Sequence, residues 1–161
     1  MSKETTSTVK IRFIDCDPIG HLNNSKYLDY MLNAREDHVE DNYGFTYEDI
    51  IRQTGSTWVT IQNEIAYLKE VRYNEIVEVT SKIIEIGPRT STVEIIMKNP
   101  ETGLINSVLW TTVIFFNLKT RKTDVLPEHL HKLFDKFLVE IPQKDFKERV
   151  SFLRNQNKKI Q

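Results

Sequence analysis

The segment from Asp15 to Tyr27, DCDPIGHLNNSKY, most constrains what this chain can fold into. It gathers two aspartates, the only cysteine, a proline, a glycine, a histidine and two adjacent asparagines between two apolar runs. Before it, residues 7–14, STVKIRFI, place Val9, Ile11 and Phe13 on one face with the period of two of a half-buried strand. After it, Ser25 to about His38 reads as a helix. So dense a group of turn-forming and titratable residues between a strand and a helix marks a loop held in place by its neighbours, not a piece of core. Pro18 and Gly20 force a bend there, and Asn23 or Asn24 supplies an N-cap for the helix.

Tyr27, Leu28, Tyr30, Met31, Leu32 and Ala34 spread widely around the helix axis, which predicts that the helix is enclosed. Gly44 interrupts it. Thr46 opens a short second helix, TYEDIIRQT, with Asp49 spaced for a capping box, and Gly55 closes it. Four more strands are expected, over residues 56–68, 75–86, 90–98 and 104–118, with no long helix between them. Asn74, Gly87-Pro88 and Asn99-Pro100 with Gly103 supply turns, and short turns make neighbouring strands antiparallel. The last strand, apolar or threonine on both faces, is expected to be the best covered. Pro127 suits the first turn of a C-terminal helix. Leu130, Leu133, Phe134, Phe137 and Leu138 give that helix an apolar stripe that docks on the domain or on a partner subunit. Residues 143–161 form a polar, basic tail with a weak stripe of Phe146, Val150 and Leu153, expected to fray or dock loosely. The expectation is one α+β domain over residues 1–161, with its core at about 7–138 and a five-stranded antiparallel sheet wrapped around one helix.

Composition narrows the partners. A net charge of -1 with 28% charged residues argues against a nucleic-acid footprint. No run approaches the ~18 apolar residues of a membrane span, and MSKETTSTVK lacks the apolar region of a signal peptide, so a cytoplasmic protein without a membrane partner is expected. One cysteine makes no internal disulfide and no thiolate zinc site. His129 and His131, two apart on a helix, face different directions, so no metal is expected.

The element order and DCDPIGHLNNSKY together resemble the hotdog fold and, within it, the 4-hydroxybenzoyl-CoA thioesterase-like acyl-CoA thioesterases. That family carries an aspartate in a D-x-D-x-x-G-like segment ending the first strand, then a tyrosine and later an arginine on the central helix. The matching positions are Asp17, Tyr27 and Arg35. IAYLKEVRYNEIVEVTSKIIEI, residues 65–86, is similar to the family's second and third strands with the turn between them. A second likeness is to the plant acyl-carrier-protein thioesterases, with their D-x-N-x-H-V-N-N segment. Asp17, His21, Asn23 and Asn24 keep its spacing, but Ile19 replaces the first asparagine. Their Y-R-R-E-C segment is similar to Tyr67 to Val71, with Glu70 in the glutamate position and Val71 excluding a cysteine nucleophile there.

The resemblance implies thioester hydrolysis without metal or prosthetic cofactor, by a homodimer, often doubled to a homotetramer, with sites between subunits. Such a reaction needs a nucleophile or activated water and donors for an oxyanion. A carboxylate just ahead of a helix start meets both needs, because first-turn amides are unpaired and present their positive ends. Asp17 is the first choice, as nucleophile or as general base on water; its plainer reading is a carboxylate capping a turn. The resemblance puts the carbonyl-polarising N–H at Asn24, and Asn23 and Asn24 also read as ordinary caps. His21 either positions water, bonds the thioester oxygen or tunes Asp17, or simply holds the loop. Cys16 is rejected because Asp15 and Asp17 disfavour its thiolate. Asp15 is expected to be structural, paired with Arg12 or Arg35, and Glu64 and Glu70 to be exposed strand charges unless they face the cleft, where Glu70 would be a second catalytic carboxylate. Tyr27, Met31 and Trp58 are expected to shape the acyl pocket. The resemblance offers Arg89 for the nucleotide end of CoA; Arg89 and Lys98 read equally as phosphate contacts or as solvated strand-end charges. Three functions stand at this point: an acyl-CoA thioesterase; an acyl-carrier-protein (ACP) thioesterase, weakened by Ile19, by Val71 and by a length that allows one hotdog domain; and a non-catalytic acyl-CoA binding module, against which Asp17 speaks.

Overall fold

The alternation of the first apolar run makes a strand, β1 (Thr5–Lys10), that ends sooner than its pattern suggests. In the computed structural model, which describes residues 2–161, Ile11 is still fully buried, but Phe13–Asp15 coil into a 3-10 turn. Phe13 is therefore 76% exposed instead of sharing the face of Val9 and Ile11. After a second 3-10 turn at Asn24–Lys26, α1 (Tyr27–Tyr43) runs five residues past the expected end at His38, until Gly44 closes it in the left-handed conformation (φ 81°). Its buried stripe, Tyr27, Met31, Ala34, Arg35, His38, Val39 and Tyr43, recurs at helical spacing. Leu28, Tyr30 and Leu32 are half-buried on its flanks, while Asp29, Asn33, Glu36, Asp37 and Glu40 face outward. Within one chain the helix is therefore cradled on one side, not enclosed all round, because charged residues occupy the other side.

The short helix α2 (Tyr47–Thr54) starts at the expected capping box: Thr46 Oγ1 accepts the Asp49 N–H (3.0 Å), and Asp49 Oδ2 accepts the Thr46 N–H (2.8 Å). The remaining strands are β2 (Ser56–Tyr67), β3 (Ile76–Ile86), β4 (Thr90–Lys98), β5 (Ile105–Asn117) and the two-residue β6 (Lys122–Thr123). All pairings are antiparallel, in the order β1-β3-β4-β5-β2, with β6 on β5. The turn-rich segment after Tyr67 is consequently no hairpin. β2 pairs with β5, so residues 68–75 cross the end of the sheet from one edge strand to β3, three strand spacings or about 14 Å away. β2 leaves its outer edge unpaired, with Val59 41% and Ile61 55% exposed.

A buried polar chain fixes α1 on the sheet. Arg35 donates to Ser81 Oγ and Tyr43 Oη (both 3.0 Å), and His38 bridges Ser81 Oγ through Nδ1 and Ser7 Oγ through Nε2 (both 2.8 Å). Burial and the neighbouring Arg35 push His38 down to about 4, so its ring is neutral at physiological pH. The helix α3 (Glu128–Phe137) docks on its own domain: Phe137 stacks on Tyr43 (centroids 4.0 Å apart), and Phe134 packs on Tyr43 and Trp58.

The basic tail does not fray. It forms α4 (Phe146–Ile160), capped by Asp145 and laid on the outer face of the sheet. Leu153 joins Ile96, Ile105 and Val108 there, and the Asn157 side chain bonds both backbone groups of Ile105 (2.8 and 2.9 Å). Arg149 grips the fully buried Glu94 with two bonds (2.8 and 2.7 Å), while Trp110 Nε1 donates to the same carboxylate (2.8 Å). Two of the three residues that α4 buries most deeply, Arg149 and Asn157, are polar, so a stripe read from hydrophobicity alone understates the docking. Removing one partner of a buried ion pair strands the other charge. Arg149→Met is therefore expected to lower the unfolding free energy in urea by about 3 kcal/mol, and pairing it with Glu94→Leu to recover most of that; an equal loss in both variants would show that the pair does not hold α4.

Candidate active site

Asp17 organises its own loop. Its carbonyl accepts the Gly20 N–H (3.0 Å) across a turn containing Pro18, its N–H donates to the His21 carbonyl (2.8 Å), and Gly20 takes a positive φ of 83° that side chains disfavour. Carboxylate oxygen Oδ1 accepts the N–H groups of Ile19 and His21, both at 3.0 Å. Oδ2 has no hydrogen-bond partner among the described residues, and Asp17 is half-buried. The turn-capping reading and the chemical reading of Asp17 thus hold together: one oxygen anchors the loop and the other is free.

Just beyond, Asn23 Oδ1 accepts the Ser25 N–H (3.0 Å) and Oγ–H (2.9 Å), the capping role expected of an asparagine here. Asn24 opens the 3-10 turn that leads into α1, and its N–H has no acceptor among the described residues, as a first-turn amide should. Its carbonyl accepts the Tyr67 hydroxyl (3.1 Å), which ties the end of β2 to the start of the helix.

The crossover from β2 to β3 passes against this loop. Val71 O accepts the Leu22 N–H (2.8 Å), and Gly20 O accepts the Tyr73 N–H (2.9 Å). This brings Glu70 to the cleft, with Oε1 3.9 Å from His21 Nε2, ion-pair range but too long for a direct hydrogen bond. Glu70 is therefore a neighbour of the site and not a remote strand charge, which a turn-rich segment read as a hairpin could not reveal.

The surroundings correct some expectations and support others. Asp15 is held by the Tyr30 hydroxyl, which in turn accepts the Arg12 N–H (3.0 Å); neither Arg12 nor Arg35 forms a salt bridge with it. Arg35 points into the core instead. Burial and the charges of Asp17 and Asp15 raise the Cys16 thiol above its ordinary range, consistent with an inert cysteine. Tyr27 is buried edge-to-face against Tyr67 (4.9 Å), and burial pushes its hydroxyl up to about 12, so it acts as a neutral wall. Met31 is fully buried in the core. Trp58 alone of the three expected pocket residues lines the cavity of about 270 Å³ beside α1, with Leu32, Val39, Phe45, Val93 and Phe134. Asp17 does not line that cavity. Arg89 lies at the opposite end of β3, an 11-residue strand that spans about 35 Å, and donates to Thr123 O (3.1 Å). One protomer thus brings together Asp17, His21, Asn23, Asn24, Tyr27 and, in addition, Glu70 and Tyr67; it does not bring Arg89 to them. Among the described residues, no three His, Cys, Asp or Glu side chains cluster as a metal site, and no helix is long and apolar enough to cross a membrane.

A helix cradled in a curled antiparallel sheet of order β1-β3-β4-β5-β2, with a clasped carboxylate in the loop just ahead of the helix, defines a hotdog fold. The chain belongs to the Thioesterase-like superfamily, whose family model matches residues 11–134. It is similar to the long-chain acyl-CoA thioesterase FadM of Escherichia coli (strain K12), 22% identical over 131 residues that cover 81% of this chain and 96% of FadM. Among solved structures it resembles the hypothetical protein SAV2348 from Staphylococcus aureus in complex with CoA (TM-score 0.78, 16% identity, 90% of this chain and 92% of that one). It also resembles the 12:0-ACP thioesterase from Umbellularia californica (TM-score 0.77, 18% identity), covering 91% of this chain but 54% of that one.

The anchoring role of Asp17 can be separated from its free oxygen. Asp17→Asn keeps a carbonyl oxygen for the Ile19 and His21 amides and is expected to melt within about 2 °C of wild type, whereas Asp17→Ala loses about 1 kcal/mol, as other capping residues do. Equal melting temperatures for the two variants would contradict the clasp.

Proposed function

We propose that this protein is an acyl-CoA thioesterase, hydrolysing a thioester to a carboxylic acid and free CoA. The observation that carries this reading is the arrangement of Asp17, with Oδ1 fixed by two amides and Oδ2 free, ahead of the unbonded Asn24 N–H. Oδ2 either attacks the acyl carbon, expelling the CoA thiolate and leaving an anhydride for water to cleave, or takes a proton from a water that attacks. In both routes the oxyanion forms on the acyl oxygen, where the Asn24 N–H donates to it without reorganising. His21, with Glu70 beside it, positions the water or returns a proton to the leaving thiolate. The similarity to FadM favours CoA as the carrier.

The protein acts as a homodimer, or a dimer doubled to a homotetramer, in the cytoplasm. The unpaired edge of β2, with Val59 and Ile61 exposed, calls for a second copy. So does the cavity beside α1, which Asp17 of the same chain does not line. Pairing two β2 edges sets the acyl pocket between subunits. A second reading, an acyl-carrier-protein thioesterase, draws on the His21–Glu70 pair and the Asp17, His21, Asn23, Asn24 spacing; Ile19 and Val71 weigh against it.

Thiol release from short-chain, long-chain and aromatic acyl-CoA esters tests the proposal. Wild type turns over at least one class, Asp17→Asn lowers kcat about 100-fold or more, and His21→Ala lowers it less. Equal losses would contradict the roles, and no release from any ester by wild type would contradict the enzyme. A higher kcat/KM for the same acyl group on a carrier protein would establish the second reading.

A further inference from the structure

Three cations converge where α4 meets the crossover. Lys69, Arg154 and Lys158, with Leu68, Asn157 and Gln161, line a concave pocket of about 190 Å³. No acidic side chain lines it. Among the described residues none of the three cations has a carboxylate side chain within 4 Å. Those under the earlier turns of the same helix are all paired: Arg149 with Glu94 (2.7 Å), Lys82 with Glu94 (3.6 Å) and Glu4 (3.0 Å), and Lys98 with Glu78 (3.0 Å). The C-terminal dipole of α4 accounts for a lysine at position 158. It does not account for a lysine of the crossover and an arginine a turn earlier aimed at the same concavity.

The pocket adjoins the candidate active site and is rigidly placed. Asn157 is pinned to the Ile105 backbone, so the last turns of α4 cannot drift from the sheet. Arg154 Nη2 lies 3.5 Å from the Tyr67 carbonyl, and the hydroxyl at the other end of that tyrosine donates to Asn24 O. One tyrosine therefore links the basic pocket to the residue whose N–H is proposed to hold the oxyanion. The family model matches residues 11–134, so Arg154 and Lys158 lie beyond the matched segment.

We propose that Lys69, Arg154 and Lys158 bind the phosphate groups at the nucleotide end of the CoA thioester; this rests on the thioesterase reading above. An arginine fork and two ammonium groups match phosphate oxygens in charge and geometry. The concavity favours a small phosphorylated ligand over a protein surface, which needs a contact of roughly 800 Å² per partner. The flexible pantetheine arm leaves the thioester free to reach Asp17 from there.

The test uses the triple variant Lys69→Ala/Arg154→Ala/Lys158→Ala in the full chain, with the same acyl group carried by CoA, by pantetheine and by an acyl carrier protein. KM for the CoA ester is expected to rise tenfold or more with kcat within twofold, KM for the pantetheine ester to stay unchanged, and titration calorimetry to show CoA itself binding about tenfold more weakly. Unchanged constants for the CoA ester, equal losses on the CoA and pantetheine esters, or a loss confined to the carrier-protein substrate would overturn the proposal. Weaker CoA binding by the variant alongside a wild type that releases no thiol would support the pocket while removing the enzyme reading, so the two failures are distinguishable.

Discussion

The seating of α1 in the curled sheet is the constraint on which the rest depends. Its buried stripe, from Tyr27 to Tyr43, gives the helix one orientation with respect to the strands. Apolar burial drives that docking but is tolerant of sliding and rotation. The chain of bonds through Arg35, Ser81, His38 and Ser7 is not, because its groups meet at 2.8 to 3.0 Å and a slip would leave buried polar groups unmet. The start of the helix, and with it the unbonded Asn24 amide, is thereby held at the end of the loop that carries Asp17.

The second determinant is the path between β2 and β3. Because β2 pairs with β5 and not with β3, residues 68–75 must traverse the sheet's end, and they do so in contact with the Gly20–Leu22 backbone. That single topological fact puts Glu70 beside His21, lets Tyr67 hold Asn24, and places Lys69 against the last turns of α4. A site assembled from backbone-anchored pieces of three elements is stiff, which suits the preorganised donors that thioester hydrolysis requires.

Much of this was legible in the sequence because the signals were local. The Thr46 and Asp49 capping box, the Gly44 and Gly55 stops, the strand positions and the crowded loop at Asp17 all depend on residues near one another along the chain. What stayed hidden depended on distant partners. A segment containing Asn74 reads as a turn whether it closes a hairpin or crosses a sheet, so only the family likeness, and no local pattern, pointed Glu70 toward the cleft. The docking of α4 rests on Arg149 meeting Glu94 and Asn157 meeting Ile105, bonds that no apolar periodicity announces. Asp15 found Tyr30, a helix residue with a hydroxyl at its tip, while Arg35 is committed to Ser81 and Tyr43 and Arg12 forms no salt bridge with it.

The central claim is that the free oxygen of Asp17 acts on a bound thioester. Single-turnover stopped flow, with enzyme in excess over an acyl-CoA that wild type hydrolyses, measures that step apart from binding and product release. The account predicts that Asp17→Asn binds the ester with an affinity within a few-fold of wild type yet releases thiol at least about 100-fold more slowly. Release at the wild-type rate, or a loss matched entirely by weakened binding, would contradict it.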